Sequence, residues 1–264
     1  MKREVSSYIA ATVAARSELV LSIAVSDGTP LAEEQLAVTL DGASIPAREI
    51  VDAHGTRLHL VDATAGELEV TYRAVVDQLA PPRIVEDAER IRYLRPSRYC
   101  ESDTLAPTAA AEFNGIEGAK LLDAVSSWVG THLSYVSGSS QPTDGAIQTL
   151  LSRQGVCRDF AHLVVALLRA CEVPARVVSV YAPGLEPMDF HAVAEAAIGD
   201  RWCVVDATAL APRSSMLRIA TGRDASDTAF LTNQTGALTL NSLEVTATVD
   251  QLPEDDVTQL TQLR

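Results

Sequence analysis

Hydrophobic and polar residues alternate with period two in the first third of the chain and recur at helical spacing further on. This predicts an all-β segment followed by a mixed one. Leu68, Val70, Tyr72 and Ala74 alternate with Glu69, Thr71 and Arg73, and shorter runs cover Val38 to Leu40 and Arg57 to Val61. Asp27-Gly28-Thr29-Pro30, Asp41-Gly42, His54-Gly55 and Ala65-Gly66 supply turns at the spacing of an antiparallel sandwich. Nothing in this segment clusters titratable groups, so packing or substrate positioning is its expected role. From Ala80-Pro81-Pro82 to Pro107 the pattern breaks into proline, arginine and acidic residues, and the domain connection is placed there. The expected division is residues 1–92, β-rich, and residues 93–264, mixed.

In the second part, Leu121, Leu122, Val125, Trp128, Val129 and His132 lie at helical spacing and predict a helix over Ile116 to Leu133 that buries Trp128. Thr143-Asp144 opens a second helix reaching Arg153. The run Cys157 to Ala170, preceded by Gly155 and closed by Glu172-Val173-Pro174, predicts a buried central helix with Cys157 in its first turn. Strands are expected over Ala175 to Tyr181, His191 to Ile198 and Arg201 to Ala207, the last two forming a hairpin about Gly199-Asp200. Beyond Pro212 the pattern predicts an arginine-rich loop, Arg218 to Arg223, a strand over Leu243 to Val249, and a solvated acidic tail at Glu254-Asp255-Asp256. The fold class is α+β.

Composition narrows the function. With 264 residues, 47% of them hydrophobic and 21% charged, the chain holds one large core or two modest ones. Thirty-five acidic against 21 basic residues give a net charge of -14, which repels polyanions, so nucleic acid and anionic membranes are not expected partners. The first residues lack a continuous apolar run, and no stretch approaches about 20 apolar residues. A cytoplasmic protein is therefore expected. Cys100, Cys157, Cys171 and Cys203 form no CxxC pair and no Cys/His cluster, and no HExxH or phosphate-binding glycine motif is present. Neither metal nor cofactor is expected.

Each cysteine is then a small buried hydrophobe or a reactive group. A thiol becomes a useful nucleophile as thiolate, and a helix N-terminus with a nearby imidazolium favours that form. Cys157 has the helix start. A tight turn at Gly199-Asp200 pairs positions whose numbers add to roughly 399, which brings His191 within diagonal reach of Asp206, where a carboxylate can hold an imidazole tautomer. Taken singly, each signal has a plainer reading. A cysteine opening an apolar helix is more often a structural thiol, and His191 and Asp206 also fit an ordinary strand residue and a strand-ending turn residue. Their order along the chain is more specific than any one of them.

Gly155-Val156-Cys157-Arg158-Asp159-Phe160-Ala161-His162, Pro174-Ala175-Arg176-Val177-Val178-Ser179, Asp189-Phe190-His191-Ala192 and Trp202-Cys203-Val204-Val205-Asp206-Ala207-Thr208 resemble the transglutaminase-like superfamily, in its bacterial cysteine-protease-like branch. The resemblance runs from about Tyr93 to Phe230, and similar bacterial proteins carry a segment like Pro96-Ser97-Arg98-Tyr99-Cys100 and a β-rich N-terminal domain. It implies a papain-like core with the nucleophile helix packed on an antiparallel sheet, Cys157 as nucleophile, His191 as general base and acid, and Asp206 as orienting carboxylate. The implied reaction is acyl transfer on a peptide or isopeptide amide through an acyl-thioester. Water as acceptor makes a hydrolase, the leading expectation. An amine makes a transglutaminase, and a non-catalytic peptide-binding module on the same fold is the third reading.

The Cys157 backbone N–H is the expected oxyanion donor, with Trp128 read as core and no second donor assigned. His162 is read as a core or site-lining histidine, and Arg158 and Asp159 as residues that tune the thiol or serve the helix dipole. Cys171 and Cys203 are read as core thiols, and Cys100 as either a linker or a cleft residue. Arg218 to Arg223 with Asp224 is read as a loop over the site or a polar surface loop. The expected partner is a peptide or protein substrate. The side chain it selects, the role of the N-terminal domain and the oligomeric state are not readable from the sequence.

Overall fold

Strand β1 (Arg3–Leu21) buries alternate residues, Val5, Ile9, Ala11 and Val13, then Leu19 and Leu21 after a short exposed interruption. It is the longest strand of the N-terminal sheet together with one from the far end of the chain, and the sequence pattern had not marked it. Small residues such as Ser7 and Ala11 dilute its alternation. The computed structural model describes residues 1–264. After β1 come β2 (Glu33–Leu40), β3 (Ala43–Ser44), β4 (Arg48–Val51), β5 (Arg57–Ala63) and β6 (Gly66–Val76); β2, β5 and β6 contain the expected strands, and β3 and β4 are additional. Along one edge of β1, β6 pairs with Arg3 to Val13 and β5 with Ser17 to Leu21, and register shifts against the opposite neighbour lie where the two partners meet. These bulges curl the sheet at that point.

The mixed part contains α1 (Asp87–Arg92), α2 (Ser102–Phe113), α3 (Ala119–His132), β7 (Ser134–Tyr135), α4 (Ala146–Ser152), β8 (Gln154–Gly155), α5 (Cys157–Ala170), β9 (Ala175–Tyr181), β10 (Phe190–Ile198), β11 (Arg201–Val205), β12 (Leu217–Gly222) and α6 (Ala225–Thr228). The fold is α+β: an antiparallel sheet ordered β11-β10-β9-β12 stands against the helices. Every residue of α5 from Asp159 to Arg169 is buried, as befits a central helix. It packs with Leu105, Phe113, Leu121, Val125 and Ala146 from α2, α3 and α4, and with Val177, Ala194 and Cys203 from the sheet. No helix is long and apolar enough to cross a membrane.

Four expectations require correction. The last strand, β13 (Leu231–Val249), is far longer than Leu243 to Val249 and returns to pair with β1 over nearly its whole length, so the sequence boundary at residue 93 does not divide the chain into two consecutive units. Arg218 lies in strand β12, buried and bonded to Glu195, because a buried carboxylate needs a charge partner; Arg223 alone of the two is exposed. The acidic tail is not simply solvated, since the Asp255 carboxylate accepts from Arg213 Nε at 2.9 Å and Nη2 at 3.0 Å, and the Thr261 carbonyl accepts from Val204 N. Trp128 is half-buried at the rim, stacked on His132 at 4.1 Å and donating to Glu112.

The two sheets share a core. Tyr181, Leu217, Ile219 and Ala220 of the four-stranded sheet lie in one cluster with Val5, Ile9, Leu21, Val70 and Tyr72. Beside it, Glu195 is buried between Arg176, at 2.9 Å, and Arg218, at 2.6 Å, and Arg176 reaches on to Glu89 at 2.7 Å and stacks over Trp202 at 3.8 Å. Burial opposes the charge on Glu195, but the two guanidinium groups outweigh it and hold the pKa down to about 2. Glu195→Ala, which leaves both arginines short of an anion, should destabilise the protein by about 3–5 kcal/mol in urea unfolding. Because the folded pKa lies below the ordinary 4.5, the contribution of Glu195 is present above that value and fades as pH falls toward 2. The wild type and the variant should therefore converge in acid.

Candidate active site

Cys157 is the first residue of α5, reached through an extended Val156. The approach is fixed by β8, where Gly155 pairs in parallel with Tyr135 and its carbonyl accepts from Val136 N at 3.0 Å. A side chain at 155 would meet the Asp159 Cβ at 2.7 Å, so only glycine allows this turn. Asp159, fully buried, accepts from the Val156 N–H at 2.8 Å and from Arg158 at 3.0 Å. It therefore closes the helix N-terminus. The Cys157 side chain is neither fully buried nor fully exposed.

The hairpin register is the expected one, from Ile198 opposite Arg201 to Ala194 opposite Val205. Pairing ends there, and the chain leaving β11 carries Asp206 to His191. His191 Nε2 and Asp206 Oδ2 are 2.9 Å apart, and both residues are buried. The other carboxylate oxygen accepts from the Thr208 N–H at 2.9 Å and the Thr208 hydroxyl at 2.7 Å, so the carboxylate cannot swing. Helix α3 presses on this turn: a Cβ at Gly130 would lie 2.7 Å from the Ala207 carbonyl. With Nε2 committed to Asp206, Nδ1 is the nitrogen left for chemistry, and it is buried without a hydrogen-bond partner.

Burial alone would push the His191 pKa down. The Asp206 charge and hydrogen bond, with the Cys157 thiol adding to them, instead carry it up to about 10. Burial likewise opposes the charge on Asp206, but His191 and Thr208 outweigh it and hold its pKa below the usual range. The sulfur thus lies close enough to His191 to favour the imidazolium, short of a formed hydrogen bond. All three residues singled out from the sequence are brought together.

Tyr135 was missed. It is 45% exposed, its ring centroid is 6.0 Å from that of Phe160, and partial burial raises its phenol to about 12, with the Cys157 thiol adding to the rise and the Cys157 backbone opposing it. A two-residue parallel bridge leaves almost no trace in a sequence, so nothing there linked Tyr135 to Gly155. Other candidates fall away from the site. His162 Nε2 accepts from the Ala225 N–H at 3.0 Å and stacks on Tyr99, a structural role. Cys100 is fully buried, which pushes its thiol up to about 12 and removes it from any cleft. Cys203 is buried and Cys171 partly exposed. Five cavities of 320 to 450 Å³ lie elsewhere on the molecule, and none of them is lined by Cys157, His191 or Asp206.

The fold has counterparts. A family model described as the transglutaminase-like superfamily matches residues 107–207. The crystal structure of a protein titled a putative cysteine protease from Cytophaga hutchinsonii superimposes with a TM-score of 0.87 and 32% identity, covering 99% of this chain and 96% of that one. An uncharacterized protein of Mycobacterium leprae is 27% identical over 174 residues, 58% of this chain, and one of Mycobacterium tuberculosis is 42% identical over 62 residues. The match spans 62% of the length of the first of these and 20% of the second.

The ion pair sets a pH window for stability. His191 has a folded pKa raised above its ordinary 6.5, so its contribution is complete below 6.5 and disappears as pH rises toward 10. Asp206→Asn should lower the melting temperature most at pH 6.5 and just below it, and the gap to wild type should shrink as pH approaches 10. A gap that stays constant across this range would show that the pair does not carry the charge described.

Proposed function

This chain belongs to the transglutaminase-like superfamily, and we propose that it hydrolyses a peptide or isopeptide amide through a Cys157 thioester. The observation that carries the proposal is the His191–Asp206 pair, buried and rigidly bonded, with the free imidazole nitrogen left beside a thiol at a helix start. Cys157 Sγ attacks the amide carbonyl carbon, and the backbone N–H of Cys157 faces the developing oxyanion. His191 Nδ1, protonated in the resting pair, gives its proton to the leaving amine as the C–N bond breaks. The acyl group stays on sulfur. Water then enters and gives a proton to His191 as its oxygen attacks the thioester carbon; the C–S bond breaks, the carboxylic acid leaves, and the Cys157 thiolate is restored beside the protonated His191. Asp206 holds the ring and offsets its charge throughout, as the carboxylate of a catalytic triad does.

The partly exposed thiol leaves the thioester within reach of water, and the cysteine protease reading given to the Cytophaga hutchinsonii protein favours hydrolysis over amine transfer. The experiment incubates the protein with glutamine-containing peptides and a labelled primary amine, and follows ammonia, new carboxylate and amine incorporation by mass spectrometry. Hydrolytic product from wild type, with none from Cys157→Ala and a loss of about 10^4-fold in Asp206→Asn, is the expected result. Amine incorporation outrunning hydrolysis would make the protein a transglutaminase. No product across broad peptide libraries would leave a peptide-binding module and overturn the proposal.

A further inference from the structure

Asp189 stands two residues before His191 and takes no part in the thioester chemistry. Alternate residues of an extended segment share a side, so Asp189 and His191 point the same way, about 7 Å apart along the backbone. Phe190, between them, points the other way: its ring lies 5.5 Å from that of Tyr181 and 5.4 Å from that of Phe230, against the core shared with the N-terminal sheet. His191 is buried, whereas Asp189 reaches the surface. The carboxylate is held where it is, because Oδ1 accepts from the Phe190 N–H at 2.7 Å.

No cation of the chain answers this carboxylate. Asp189 forms no ion pair, and Oδ2 has no protein donor. Arg158, the basic residue next to Cys157, is occupied by Asp159 at 3.0 Å and by Ser140 and the Gln141 carbonyl at 2.9 Å. Although Asp189 is exposed as a residue, protein atoms crowd its carboxyl enough to raise its pKa against the Phe190 N–H and the His191 charge. Tyr135 lies within reach of both the thiol and this acid: burial raises its phenol first, and the Cys157 thiol and the Asp189 charge add to the rise. A carboxylate partly withdrawn from water and left without a counter-charge favours a cation that arrives from outside. Tyr135 and Met188, 45% and 42% exposed, supply apolar surface on which the methylenes of a long side chain can lie. The net charge of -14 draws cations toward the protein and repels anions.

We propose that Asp189 determines specificity by selecting a cationic side chain, lysine or arginine, on the substrate of Cys157. The ammonium or guanidinium group pairs with Asp189 Oδ2, and the aliphatic stem lies against the Tyr135 ring. Substrate selection presupposes the thioester chemistry proposed above, whereas the negative field that Asp189 lays over the thiol does not.

Two measurements on the full chain therefore test the two levels separately. The first needs no turnover: Cys157 is modified with a cationic and an anionic methanethiosulfonate of matched size, and the two rates are compared. The ratio of cationic to anionic rate should fall about tenfold in Asp189→Asn, which keeps the oxygen bonded to Phe190, and further in Asp189→Lys. Asp200→Asn, which removes the same charge at the far end of the hairpin, should leave the ratio unchanged. The second compares kcat/KM for peptides that differ only in lysine, norleucine or glutamate beside the scissile amide. Wild type should prefer lysine, and the preference over norleucine should drop about tenfold in Asp189→Asn while the norleucine peptide is cleaved as before. A modification ratio indifferent to Asp189 overturns the proposal. So does a wild type that cleaves norleucine and lysine peptides equally, or a lysine preference that survives the loss of Asp189. If no peptide is cleaved while the modification ratio shifts as stated, the hydrolytic reading fails and the cation-selective site stands.

Discussion

The Glu195 carboxylate, buried between Arg176 and Arg218, is the interaction on which the rest of the architecture depends. A buried charge must be paired, and the partners of this one come from the two neighbouring elements of the same sheet, β9 and β12. Glu195 sits on β10, Arg176 opposite it on β9 and Arg218 on β12, while Trp202 of β11 stacks over Arg176 and Glu89 of α1 accepts from Arg176 Nη1. One cluster therefore ties all four strands of the sheet that carries His191 to the segment that joins the sheets. Packing alone is tolerant of small shifts. A chain of charge-assisted bonds at 2.6 to 2.9 Å is not.

That rigidity is used four residues along the same strand. The imidazole of His191 is presented by β10, its carboxylate by the chain just beyond β11, and the thiol by a helix packed on the same sheet. The last contact is set by residues with little chemistry of their own: Gly155 lets Asp159 close the helix start, Gly130 lets α3 meet the turn after Asp206, and Thr208 fixes the second carboxylate oxygen. The N-terminal sheet supports this from outside, through the core it shares at Tyr181 and Leu217.

Much of the site was legible because its determinants are local. A hairpin with a tight turn fixes its own register, so His191 and Asp206 could be paired from their distances to Gly199, and an apolar run with clear ends placed Cys157 at the start of α5. What escaped notice depends on partners far away in sequence. Arg218 reads as a surface arginine until Glu195, 23 residues earlier, is known to be buried beside it. Leu231 to Leu243 has weak alternation and becomes a strand because β1, more than two hundred residues away, lies against it. Tyr135 reaches the thiol through a bridge of two residues, and Asp255 is drawn from solvent by Arg213. In each case the local pattern was neutral and a long-range charge or backbone pairing decided the outcome.

The central claim is that Cys157 and His191 form one reactive pair. The direct measurement is the rate of iodoacetamide labelling at each cysteine, mapped by mass spectrometry across pH in the wild type and in His191→Ala. Cys157 should label fastest, ahead of Cys100, Cys171 and Cys203, whose thiols burial pushes up. It should keep that reactivity into acid in the wild type and lose it there in the variant. A Cys157 that labels no faster than the other thiols, or that reacts identically without His191, would contradict the account.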